Sequence, residues 1–203
     1  MKQKLQVMLQ LQDQMNQKIH PQWREQEYEW YRAIWIECAE LMDHYGWKWW
    51  KKQSPDRDQV LLELIDIWHF GLGQLLQGGD DFEKLAAQIQ DQFDFGQNPV
   101  DFKESVESFA SAVLSTKSFD VKSFCLMMLS IDLRFDALYQ TYIGKNVLNF
   151  FRQDHGYKEG RYQKLWNGRE DNEHLVEVLG ELSVDSPSYK EDIYKGLAQR
   201  YPS

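Results

Sequence analysis

QEYEWYRAIWIECAELMDHY at residues 26–45 and VLLELIDIWHFGLGQLL at residues 60–76 are the stretches that decide how this chain folds. In the first, Trp30, Ile34, Cys38, Leu41 and Tyr45 recur at helical spacing, and in the second an apolar run reaches Gly78-Gly79, a helix stop. Each stretch carries two carboxylates three residues apart, Glu37 with Glu40 and Glu63 with Asp66, so each pair projects from one helix face. Two facing, antiparallel helices would gather all four into one patch. Unneutralised, such a patch raises its own pKa values and destabilises the fold, so the pattern asks for a hard divalent cation with oxygen ligands. All-oxygen ligation favours Mg²⁺, with Mn²⁺ as a substitute.

Outward from these stretches, helical periodicity fills most of the chain. It predicts helices over 4–19, 26–45 and from Ser54-Pro55-Asp56 to the Gly78-Gly79 stop, with Ser54 as cap and Pro55 in the first turn. Further helices are expected at about 82–93, 101–115, 120–140, 143–154, 170–182 and 188–200, and strand signals are nearly absent. The reading is an all-α helical bundle, one domain over 1–203, with a four-carboxylate metal site between two antiparallel helices.

A formal charge of −9 argues against a nucleic-acid-binding surface. Cys38 and Cys125 lie in apolar helical runs, the setting of reduced buried thiols, and no continuous run of about 18 apolar residues appears. A soluble, cytoplasmic protein without membrane attachment is expected. Most of the aromatic side chains belong in the core, but Trp47, Trp49 and Trp50 alternate with Lys48, Lys51 and Lys52 ahead of Ser54-Pro55, which marks an inter-helix loop with a functional role.

Other residues refine the chemistry. His69 follows Asp66 by three, on the same helix face. That D-x-x-H invites comparison with di-iron bundles, although the second E-x-x-H they need is missing. Gln12 and Asn16 continue the stripe of Leu5, Met8, Leu9, Met15 and Ile19, so their amides point inward, either to each other or to the edge of a planar base such as uracil. Lys145, Asn149 and Arg152 recur at i, i+4 and i+7, and Lys158, Arg161, Lys164 and Arg169 follow among Tyr157, Tyr162, Trp166 and Asn167. Such a concentration suits a polyphosphate.

The motifs ECAELMD at 37–43, WKWWK at 47–51, ELIDIWHF at 63–70, YIGKNVLNFFRQ at 142–153 and GYKEGRYQKLWNGREDN at 156–172 resemble the all-α dimeric dUTPases, members of the all-α nucleoside triphosphate pyrophosphohydrolases. The resemblance implies Mg²⁺-dependent hydrolysis of dUTP and dUDP to dUMP by a homodimer. It makes Glu37, Glu40, Glu63 and Asp66 the metal ligands, and Gln12, Asn16, Trp50 and His69 the base site. Lys145, Asn149, Arg152, Lys158, Tyr162, Lys164 and Asn167 would close over the phosphates. Lys145, Arg152 and Lys164 would stabilise the leaving phosphates, and one of Glu37 and Glu40 would take the proton from the attacking water. A related dCTP-cleaving enzyme and a non-enzymatic di-metal bundle are the competing readings.

Overall fold

The computed structural model describes residues 1–79, 81–93, 101–184 and 186–202. Among these are nine α-helices and one short hairpin, an all-α fold. The chain divides into two compact units, Met1–Leu138 and Tyr139–Ser203, with the division inside one helix.

The first unit contains α1 (Lys2–Ile19), a 3-10 turn at Trp23–Glu25, α2 (Trp30–Tyr45), α3 (Arg57–Leu76), α4 (Phe82–Gln92), α5 (Phe102–Thr116), α6 (Val121–Ser130) and the start of α7 (Phe135–Asp154). α2 and α3 form the most extensive helix pair, and α1 packs on α3 and α4. The contacts of α2 with α3 run in opposite senses. His44 faces Glu63, Glu37 faces Glu63 and Asp66, and Trp30 lies over Gly73. The pair is therefore antiparallel, as expected from the sequence. Its closeness depends on Gly73, where a Cβ would stand 2.8 Å from the Trp30 ring. Buried Leu5, Met8, Leu9 and Met15 give α1 its inner stripe, while Ile19, placed on that stripe by spacing, is exposed where the helix ends. Trp68 of α3 is buried, stacked on Phe124 at 5.1 Å and edge-on to Phe119 at 5.8 Å.

Three boundaries differ from the sequence reading. α2 begins at Trp30, because Glu27 at φ 51° breaks the helical path before it. α3 is capped by Asp56, whose carboxylate accepts from Gln59 N at 3.2 Å, and Ser54 and Pro55 lie outside the helix. Asp, as good a cap as Ser, sits two residues nearer the apolar run. The helix expected over 120–140 is two. Asp132 takes the left-handed conformation at φ 60° and Leu133 N donates to Met128 O at 2.8 Å, closing α6 without the usual glycine. The second helix, α7, then runs unbroken through residues 141 and 142.

The second unit holds the rest of α7, β1 (Leu165–Trp166), β2 (Arg169–Glu170), α8 (Asp171–Glu181) and α9 (Tyr189–Arg200). The two strands pair antiparallel, Leu165 with Glu170 and Trp166 with Arg169. Between them Asn167 and Gly168 both have positive φ, 52° and 83°, the two-residue turn that an Asn-Gly pair favours. That dipeptide was the overlooked strand signal. Phe151, Trp166 and Tyr201 form the aromatic centre, with ring centroids 5.3–5.8 Å apart. α7 meets α8 at Gly144, where a Cβ would lie 2.7 Å from both methyls of Leu179. Gly144→Ala should therefore destabilise the protein by about 1–3 kcal/mol, because overpacking outweighs the roughly 1 kcal/mol that alanine gains in helix propensity. Urea denaturation checks this, and a stabilised variant would refute it.

Candidate active site

The α2–α3 pair carries the carboxylates expected to bind metal. Ligand oxygens of Glu37, Glu63 and Asp66 all lie within 4.8 Å of one another. Glu63 is buried and the other two are half-buried. Glu40, one turn along α2, is exposed and stands outside this group, although its charge acts on Glu37. The spacing of three residues rotates Glu40 about 60° from Glu37, toward solvent. Burial first, then the charge of Asp66 and a hydrogen bond with Glu63, push the Glu37 carboxyl up to about 9, and the charges of Glu63 and Glu40 add to this. His44, two turns along α2 from Glu37, places Nε2 3.5 Å from Glu63 Oε1, a long electrostatic contact that the sequence reading missed despite the i, i+7 spacing.

These donors fit a hard divalent cation: three carboxylates, held close together and partly withdrawn from solvent. A pH signature follows. Relative to an ordinary 4.5, the raised Glu37 value means that its stability contribution is full below about 4.5 and lost as pH rises toward 9 in metal-free protein. Mg²⁺ would neutralise the cluster, so the decline of Tm between these pH values should flatten at saturating Mg²⁺. Thermal melts at matched ionic strength test this, and parallel slopes with and without Mg²⁺ would count against cation binding here.

A buried polar chain joins α1 to α3 beside the carboxylates. His69 Nδ1 lies 2.7 Å from Gln12 Oε1, and Gln12 Nε2 donates to Asn16 Oδ1 at 2.9 Å. Gln12, Asn16 and His69 are each only 4% exposed, so both amides point inward as the stripe required. The Asn16 Nδ2 group at the end of this chain has no hydrogen-bond partner among the described residues. A buried amide donor left in that state costs free energy and suits an acceptor supplied by a ligand. His69, three residues beyond Asp66, places this chain one helical turn from the carboxylates.

The α2–α3 loop is held at its base. Gln53 Oε1 accepts from Lys48 N at 2.7 Å, and Asp43 accepts from Trp47 Nε1 at 3.0 Å and Lys48 Nζ at 3.2 Å. Above it Trp50 stands edge-on to Trp47 and Trp49 and is 57% exposed, a large apolar surface open to a planar partner. The Cys38 thiol, adjacent to the cluster, is pushed up to about 12 by burial and the Glu37 charge, which keeps it an unreactive thiol.

In the second unit the predicted phosphate residues separate into two groups. Lys145 is buried, with Nζ donating to Asn172 Oδ1 at 2.9 Å, and Arg152 donates to Asp171 at 2.8 and 2.9 Å and to Asn149 at 3.2 Å. Tyr162 donates its hydroxyl to Asp171 at 2.7 Å. Lys158, Lys164 and Asn167 are exposed; Lys164 pairs with Glu170 at 3.3 Å, and the Asn167 backbone makes the hairpin turn. Asp171, fully buried at the start of α8, was missed as a site residue. A half-buried Arg152 demands an acid, but which acid is a question of tertiary contact.

A helical bundle with a carboxylate cluster between two antiparallel helices, next to a buried amide chain, has the architecture of the all-α nucleotide pyrophosphohydrolases. Within that class the sequence pattern of the dUTPase family matches residues 4–157, most of the chain. The chain belongs to the all-α dUTPase family and is a dUTP diphosphatase. No curated protein matches it. Among the described residues no helix is long and apolar enough to cross a membrane.

Proposed function

We propose that the enzyme hydrolyses dUTP, and dUDP as well, to dUMP in a Mg²⁺-dependent reaction, releasing pyrophosphate or phosphate. The observation that carries this reading is the buried Asn16 Nδ2, which has no hydrogen-bond partner among the described residues and is joined through Gln12 to His69, one helical turn from Asp66 of the carboxylate cluster. Its donor suits a carbonyl oxygen of uracil, and Gln12 with His69 holds the amide in place. Trp50 offers a ring face at the base site. Glu37, Glu63 and Asp66, with Glu40 reaching in from the rim, would hold Mg²⁺ or Mn²⁺. When bound, the cation neutralises charge that develops on the phosphates and favours ionisation of the attacking water. Glu37 or Glu40 accepts the proton of that water, and the raised Glu37 value suits a base that must hold one.

Lys145, Asn149, Arg152, Lys158, Tyr162, Lys164 and Asn167 are assigned to the phosphates, with Lys145, Arg152 and Lys164 stabilising the leaving group. Support comes from the second unit's buried Lys145 and half-buried Arg152, cations held in fixed positions. Residues 1–203 would then serve as one catalytic domain, acting as a cytoplasmic homodimer with no nucleic-acid or membrane partner. Product analysis after incubation with dUTP or dUDP and Mg²⁺ tests the reading. Formation of dUMP with pyrophosphate or phosphate is expected, and turnover of dCTP without turnover of dUTP would reject it.

A further inference from the structure

One carboxylate in the second unit holds the Arg152 guanidinium through two hydrogen bonds. Asp171 is fully buried, and its two oxygens accept separately from Arg152, Oδ2 from Nε at 2.8 Å and Oδ1 from NH2 at 2.9 Å. The Tyr162 hydroxyl donates to Oδ2 at 2.7 Å, and the Asp171 amide donates to Lys164 O at 3.0 Å, so the acid is fixed from side chain and backbone. Its neighbour Asn172 accepts from Lys145 Nζ at 2.9 Å and lies 3.4 Å from Arg152 NH2. Two of the three guanidinium nitrogens are thus engaged by one acid, and two parallel bonds set the plane of the group as well as its place. Burial would raise the Asp171 carboxyl, but the Arg152 hydrogen bonds and charge, the Tyr162 hydrogen bond and the Lys145 charge outweigh it and hold the group below the usual carboxylate range.

We propose that Asp171 is the positioning residue for Arg152 in recognition of the substrate's polyphosphate, presetting the guanidinium plane without itself touching substrate. A carboxylate repels phosphate, so its value at such a site lies in geometry. The rotamer freedom of Arg152 is given up on folding and need not be given up again on binding. The inference rests on the reading that Arg152 meets the phosphates.

A double-mutant cycle tests it, with α,β-imido-dUTP as a non-hydrolysable probe carrying all three phosphates and dUMP as a probe lacking the β and γ groups, both titrated in Mg²⁺. Asp171→Asn should weaken imido-dUTP binding by about tenfold or more and leave dUMP within about twofold, and Asp171→Asn in an Arg152→Gln background should add nothing further. Unchanged imido-dUTP affinity in Asp171→Asn, equal losses for both probes, or multiplicative losses in the double variant would overturn the proposal. Should Asp171→Asn fail to fold by circular dichroism, the charge-balanced double variant decides alone. It must match Arg152→Gln, and weaker binding refutes positioning. Wild-type imido-dUTP affinity in Arg152→Gln would instead defeat the phosphate assignment of Arg152, which separates that failure from failure of the role given to Asp171.

Discussion

Glu63→Gln is expected to lower dUTP turnover by about 10³-fold or more while making the metal-free protein more stable. Glu63 is the buried member of the cluster, with oxygens within 4.8 Å of those of Glu37 and Asp66. Two full charges at that separation repel by roughly 3 kcal/mol at an effective dielectric near 20, and a neutral amide removes this term. The hydrogen bond from Glu37 can still be accepted by the Gln amide oxygen, and His44 at 3.5 Å, on a ring 39% exposed, forms a screened pair that contributes about 1 kcal/mol or less. Repulsion wins, so the metal-free Tm should rise by about 2–6 °C. Isothermal titration with Mg²⁺ should show lost binding in the same variant. Wild-type turnover by Glu63→Gln would remove the cluster from the chemistry, and a lowered Tm would show that hydrogen bonding to Glu63 outweighs its charge.

Asn16→Ala should reduce kcat/KM for dUTP by about 10- to 100-fold, with a matching loss of dUMP affinity and unchanged Mg²⁺ affinity. The free protein loses one hydrogen bond, from Gln12 Nε2 at 2.9 Å, but also loses a buried donor that has no partner among the described residues. The first costs about 1–3 kcal/mol because the Gln12 donor is buried, and the second returns a similar amount, so stability should be nearly unchanged. Loss of base affinity without loss of stability is the mark of a group kept for its ligand. A destabilised variant with intact dUMP binding would make Asn16 a structural residue. Calorimetric titration with dUMP, together with urea unfolding, separates the two.

Much of this arrangement was legible along the chain. Glu37, Glu63 and Asp66 share faces of adjacent helices because 3.6-residue periodicity dictates it, and Gln12 and Asn16 point inward because they continue an apolar stripe. These are local consequences of spacing. The end of α6 was not legible, since Asp132 replaces the glycine that normally marks such a stop. The hairpin was legible in principle from Asn167-Gly168, but strands of two residues carry no periodicity.

The sequence by itself determined the all-α class, the carboxylate pairs and the family motifs, for these depend on residue identity and on neighbours within a turn or two. Only the tertiary structure decided that Glu37, Glu63 and Asp66 converge while Glu40 faces solvent, that His44 stands opposite Glu63, and that Arg152 is locked by Asp171. Helical spacing specifies the face of one helix to within tens of degrees. Which side chain of a second element meets it, and with which atoms, depends on crossing geometry and close packing between distant segments, such as Trp30 over Gly73 and Leu179 against Gly144.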